Sequence, residues 1–170
     1  NGMKISLKEK TDNARKLILD FRAYNDGIAF RYQFPNQKHL SDFTIINEMT
    51  EFAMTGDHKA WWIPADYESY EFLYTESKLS EIDAEKYGYV TDAPDRYIGN
   101  IHAANTPLTM QTGDGRYISI HEAALTDYAG MTVAVKPGNT LQAELVPWPD
   151  GAKVKTKAPA KTPWRTIQIA

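Results

Sequence analysis

Two neighbouring ionisable residues, His121 and Glu122, stand at the end of an alternating run, Tyr117-Ile118-Ser119-Ile120-His121-Glu122. A charged pair at a strand end rests on a rigid support and faces solvent or a partner, which is where binding chemistry is commonly mounted. Should the strand continue that far, the two side chains point to opposite faces, so they do not chelate one ion together. The two histidines one helical turn apart that a zinc protease uses are also missing. Two readings of Glu122 stay open: a strand-end carboxylate tied to neighbouring loops, or a carboxylate presented to a sugar or to a hard cation such as calcium, which gathers oxygen ligands from distant chain segments.

A second group is His58-Lys59-Ala60-Trp61-Trp62. Adjacent residues on a strand face opposite ways, so one Trp fills a core while the other lies at the surface or under a loop. An exposed indole can stack on the apolar C–H face of a sugar ring; packing under loops is the structural alternative. His58 reads as a general base, a sugar contact or a loop brace, and no Ser or Cys nucleophile can be assigned to it. Tyr67, Tyr70, Phe72 and Tyr74 interleave with Glu68, Glu71 and Glu76, and the last three aromatics share the parity of a buried strand face. Glycosidase chemistry needs two carboxylates at a defined separation, and pattern alone does not select a pair from 22 acids.

The elements that must position these groups read as strands. Leu17, Leu19, Phe21 and Ala23 share one parity against Lys16, Ile18, Asp20 and Arg22, Asn25-Asp26-Gly27 supplies a tight turn, and Ile28, Phe30, Tyr32 and Phe34 alternate again, the signature of a hairpin. Further strands are expected at Ile5–Glu9, Phe43–Asn47, Ala60–Ile63, Tyr70–Thr75, Leu108–Thr112, Arg116–His121, Met131–Val135, Leu141–Val146 and Arg165–Ile169. Gly113-Asp114-Gly115, Pro137-Gly138-Asn139 and Pro149-Asp150-Gly151 supply turns. Many short strands at close spacing predict an all-β sandwich or barrel. Ser77–Glu85 is expected to form a short helix or turn with Ser77 as its cap. Asp83–Asn105, carrying Gly88, Pro94 and Gly99, and the Lys-rich stretch Lys153–Lys161 are expected to be loops.

Composition narrows the function classes. Of 170 residues, 42% are hydrophobic and 24% charged, as in an ordinary folded domain, and the net charge of -3 comes without the basic stripe of a nucleic-acid binder. Without cysteine, disulfides, thiol catalysis and thiolate metal sites are excluded. No apolar run reaches the ~20 residues that span a bilayer, and the opening residues do not read as a signal peptide. The chain opens on Asn1-Gly2 and is still in strand rhythm at Thr166–Ala170, which reads as a segment of a longer protein.

Four stretches, taken together, resemble the N-terminal domain of glycoside hydrolase family 97, the bacterial α-glucosidases and α-galactosidases. They are Phe21-Arg22-Ala23-Tyr24-Asn25-Asp26-Gly27-Ile28-Ala29-Phe30-Arg31-Tyr32, Gly56-Asp57-His58 through Trp62-Ile63-Pro64, Ile118-Ser119-Ile120-His121-Glu122-Ala123-Ala124-Leu125, and Thr162-Pro163-Trp164-Arg165-Thr166-Ile167. The resemblance implies a galactose-mutarotase-like β-supersandwich over residues 1–170, here a partial domain. It implies packing on a (β/α)8 barrel that carries the catalytic acid and the base or nucleophile, so the segment alone is expected to be inactive. Glu122 matches the glutamate that this domain lends to an active-site calcium ion. Trp61, Trp62 and His58 are the candidate contacts to an α-linked oligosaccharide. A periplasmic or cell-surface location in a Gram-negative bacterium is implied in the same way. A free-standing carbohydrate-binding module and a ligand-free interaction domain are the competing readings.

Overall fold

The computed structural model describes residues 1–92 and 96–170. In chain order its strands are β1 (Gly2–Lys8), β2 (Lys16–Tyr24), β3 (Gly27–Phe34), β4 (Asp42–Ile45) and β5 (Glu51–Ala53). Next come β6 (Lys59–Trp62), β7 (Thr75–Lys78), β8 (Ala103–Asn105), β9 (Leu108–Gln111) and β10 (Tyr117–Ala123). The last are β11 (Met131–Lys136), β12 (Thr140–Leu145), β13 (Val154–Lys157), β14 (Ala160–Lys161) and β15 (Trp164–Ile169). The only helix among the described residues is one 3-10 turn, Leu79–Glu81, so none is long and apolar enough to cross a membrane. The protein is all-β.

A nine-stranded antiparallel sheet runs β1-β2-β3-β15-β10-β9-β6-β7, with β14 also paired to β3. It faces a four-stranded sheet ordered β5-β12-β11-β8, while β13 and β4 form a separate ribbon. Alternation dictates the interior. Leu108, Met110, Ile120 and Trp62 from the large sheet meet Met131, Val133, Leu141 and Leu145 from the small one in a single apolar core. The β2–β3 hairpin forms where expected, but of its turn residues only Gly27 takes a positive φ, 154°. A Cβ there would lie 2.2 Å from the Ile167 carbonyl oxygen on β15, so the position requires glycine.

Four expectations need correction. The strand expected at Tyr70–Thr75 is absent, and the strand proper begins at Thr75, because the edge of β6 pairs with Thr75–Lys78 instead. Phe72 is satisfied locally, against Tyr89 at 5.4 Å and under the Arg96 guanidinium. Ser77 caps nothing: it lies within β7 and accepts a hydrogen bond from the Trp62 indole, and the helix at Ser77–Glu85 shrinks to the single 3-10 turn. The Lys-rich stretch is not a loop throughout, since it contains β13 and β14 and buries Val154 in the core. The long loop expected at Asp83–Asn105 ends in strand β8; its residues 93–95 lie outside the described residues.

Candidate functional site: a buried carboxylate cluster at the end of β10

Strand β10 does not break at His121 but runs on to Ala123, so His121 and Glu122 fall on opposite faces, the former exposed and the latter buried. Directly opposite Glu122 on β15 is Arg165, which is 0% exposed. Its Nη1 donates to Glu122 Oε2 at 2.6 Å. Its Nε and Nη2 form a fork to Glu48 Oε1 and Oε2 at 2.8 and 2.7 Å. Glu48, in the segment between β4 and β5, also accepts from Thr50 Oγ1 at 2.9 Å and from the Tyr128 hydroxyl at 3.1 Å. The Tyr32 hydroxyl closes the cluster on Thr50 at 2.8 Å. Glu122 Oε1 accepts the Met131 backbone N–H at 3.0 Å. Each oxygen of Glu122 therefore has one partner and, with two acceptor lone pairs, keeps one.

The loop that follows Glu122 is strained. Ala124 and Asp127 hold φ at 56° and 51°, left-handed values that aspartate tolerates but that cost a residue such as Ala124 about 1–2 kcal/mol. These bends bring Tyr128 back to Glu48 and Gly130 back beside Glu122, where a Cβ would lie 4.0 Å from Oε1. Tyr128 and Gly130 also line a cleft of about 480 Å³ that opens against Trp148 and Lys153. Strained backbone next to a buried charge cluster is the company functional residues keep.

Electrostatics follow from burial and pairing. Burial pulls the Arg165 guanidinium down, but hydrogen bonds to Glu48 and the charges of Glu48 and Glu122 outweigh it and leave its pKa raised. Burial also pushes the Tyr128 phenol far up, helped by the Glu48 charge. Burial and, to a lesser degree, the Glu122 charge raise the pKa of Tyr70. Two carboxylates share one guanidinium, so the cluster carries one uncompensated negative charge. A guanidinium held between them makes Glu48 and Glu122 unsuited to act as a glycosidase acid–base pair, which must flank a scissile bond.

Calcium takes six to eight oxygen ligands, and among the described residues no three His, Asp or Glu side chains converge to hold a metal. Glu122 fits such an ion as a single donor: it is a hard oxygen ligand with open lone pairs, in a cluster with surplus negative charge.

The other candidates do not join this cluster. Trp62 is 0% exposed and its indole N–H donates to Ser77 at 2.9 Å, so it is a core residue with no face left for a sugar. Trp61 lies on the opposite side of the sheet. It stacks on Tyr117 at 5.9 Å, donates to Glu76 at 3.0 Å and carries Lys59 over its ring at 4.5 Å. His58 is nearly buried, with Nε2 3.1 Å from Thr55 Oγ1, on the wall of a separate cleft of about 890 Å³ that also holds Asp57, Asp114 and Arg116. Sequence reasoning missed Arg165 and Glu48. Arg165 shares its parity with Ile167 and Ile169, opposite Thr166 and Gln168, and that was a readable signal. Glu48 lies in an irregular segment and offered none.

Similarity to known proteins agrees with the all-β fold. The family model described as Glycosyl-hydrolase 97 N-terminal matches residues 1–170. A retaining alpha-galactosidase of Bacteroides thetaiotaomicron is 26% identical over 162 residues, covering 88% of this chain and 20% of that protein. The structure of a Glycoside Hydrolase Family 97 enzyme from Pseudoalteromonas sp. strain K8, in complex with acarbose, superposes with a TM-score of 0.82 at 34% identity, covering 100% of this chain and 23% of that one. A beta-arabinopyranosidase superposes at 0.75 with 18% identity, a likeness of fold alone. The chain thus spans about a fifth of the length of these family-97 relatives, and it belongs to the glycosyl-hydrolase 97 N-terminal family.

Proposed function

We propose that this chain is the supporting N-terminal domain of a calcium-dependent α-glycosidase, an α-galactosidase or α-glucosidase. In this reading it packs on a (β/α)8 catalytic barrel, lends Glu122 to the active-site calcium, and works in the periplasm or at the surface of a Gram-negative bacterium. The observation that carries the reading is the Glu122 carboxylate itself, held by one donor per oxygen beside a strained loop and within a cluster of surplus negative charge. The alpha-galactosidase and acarbose-bound relatives support the α-glycoside class. A calcium ion there would supply Lewis-acid polarisation and orientation of the substrate. This chain's own residues contribute a carboxylate whose direction is set by Arg165 and the Met131 N–H.

Two measurements test the reading. The segment alone is expected to leave aryl α-galactosides and α-glucosides intact, and robust turnover would overturn its supporting role. In the full-length protein, Glu122→Gln is expected to weaken calcium binding at least tenfold by calorimetry; an unchanged affinity would remove Glu122 from the metal.

One observation favours a second reading, the outward Trp61–Tyr117 pair. Saturable binding of maltooligosaccharides to the segment, lost in Trp61→Ala, would make this domain a carbohydrate-binding module.

A further inference from the structure

We propose that Arg165, clamped by Glu48, is a positioning residue that sets both the direction and the effective charge of the Glu122 carboxylate. The inference rests on the reading of Glu122 as a metal donor.

Direction comes from the hydrogen bonds. Glu122 is fixed from two sides, by Arg165 Nη1 at 2.6 Å and by the Met131 N–H at 3.0 Å. Arg165 cannot swing away, because its other two contacts form a fork on Glu48 at 2.8 and 2.7 Å. Such planar, two-point pairing is the feature a lysine cannot reproduce. Glu48 is gripped in turn by Thr50 and Tyr128. The chain of restraint thus runs from the small sheet's edge through Glu48 and Arg165 to Glu122.

Charge comes from the stoichiometry. A brace needs only one carboxylate for one guanidinium, since a neutral pair costs less to bury than a charged triad. Here a second carboxylate is buried on the same guanidinium, and it takes two of the three ion-pair hydrogen bonds. Arg165 is neutralised mainly by Glu48, so Glu122 keeps the negative charge that a cation would meet. Carboxylates and cations that orient a metal ligand from behind change metal affinity about 10–100-fold when replaced.

The test uses the full-length protein stripped of metal, with calcium affinity by calorimetry and the melting temperature of the metal-free form read in parallel. Glu48→Gln leaves Arg165 and Glu122 in place but hands the whole guanidinium charge to Glu122. It is expected to raise the calcium Kd about 10–100-fold. Arg165→Lys keeps the charge and removes the fork, and should raise the Kd in the same direction; it carries the test if Glu48→Gln does not fold. A lowered melting temperature with an unaltered Kd in the variants would overturn the proposal and make the triad a brace only. If Glu122→Gln also leaves the Kd unaltered, the reading of Glu122 fails, and the positioning role falls with it. If Glu122→Gln weakens calcium while Glu48→Gln and Arg165→Lys do not, the positioning role alone fails.

Discussion

The two ends of the large sheet carry the same alternating pattern and meet different fates. At the β10–β9–β6 end the inward residues Ile120, Leu108 and Met110 are fully buried beneath the small sheet. At the β1 end the residues of matching parity, Met3, Ile5 and Leu7, stay 55%, 37% and 45% exposed, although they continue the same face through Phe21, Leu19 and Leu17. The small sheet is four strands wide and the large one nine, so it covers only part of the face. Alternation reports which side chains share a face; it does not report whether anything lies over that face.

Substitutions in the two regions are expected to differ in cost, with the largest loss at the covered charge cluster. Arg165→Ala leaves Glu48 and Glu122 buried without their cation, a loss of about 3–5 kcal/mol, read as a shifted midpoint in urea unfolding. Leu108→Ala should cost about 2–5 kcal/mol through the cavity it leaves. The control for position is Ile5→Ala in the exposed wing, expected within about 0.5 kcal/mol of the unsubstituted chain. Equal losses at Leu108 and Ile5 would show that the wing is covered in solution.

Alkaline pH gives a smaller effect in the loops over the small sheet. Burial, with help from the Glu144 charge, pushes the Tyr67 phenol up to about 12, against about 10 in an unfolded chain. The folded state therefore holds this proton more tightly. The stabilisation is fully present below pH 10 and is lost as pH rises towards 12. Tyr67→Phe should flatten the decline in melting temperature over that window; an unchanged slope would assign it to other groups. The smallest effect is expected at the wing's surface, where Lys4 lies 3.9 Å from Asp20 with its side chain mostly in solvent. Lys4→Ala should change stability by less than about 0.5 kcal/mol, measured by the same urea series at low salt.

How far the sequence could be read depended on element length and on partners distant in the chain. The β2–β3 hairpin, β9, β11, β12 and β15 are long enough for alternation to show. Strands β5 and β8 have three residues each, too few to establish a period, and each exists because a longer strand, β12 or β11, offers it an edge. Strand β13 is largely polar and pairs with β4 more than a hundred residues earlier, so nothing local announces it. The Tyr70–Tyr74 aromatics misled in the opposite sense: their alternation is real, but the neighbouring edge was already paired. The separation of Glu122 from His121 followed from the pleat, but the pair was read as facing solvent or a partner, and that Glu122 is the buried one depended on the second sheet. Its partners were harder to see, because the ion pairs join residues 43 and 117 positions apart. For the sugar-binding candidates, the opposed faces of Trp61 and Trp62 followed from strand geometry, whereas which of the two would be sealed depended on the second sheet.

The contact between Gly27 and Ile167 bears on how this domain can be recombined. The tip of an early hairpin and the final strand are fitted to each other within an atom's width, and the same final strand carries Arg165. A chimera that takes its first thirty-odd residues from one relative and the remainder from another therefore matches two halves of a joint cut separately. Grafts that move the hairpin together with the closing strand keep the joint whole, and with it the seat of the guanidinium.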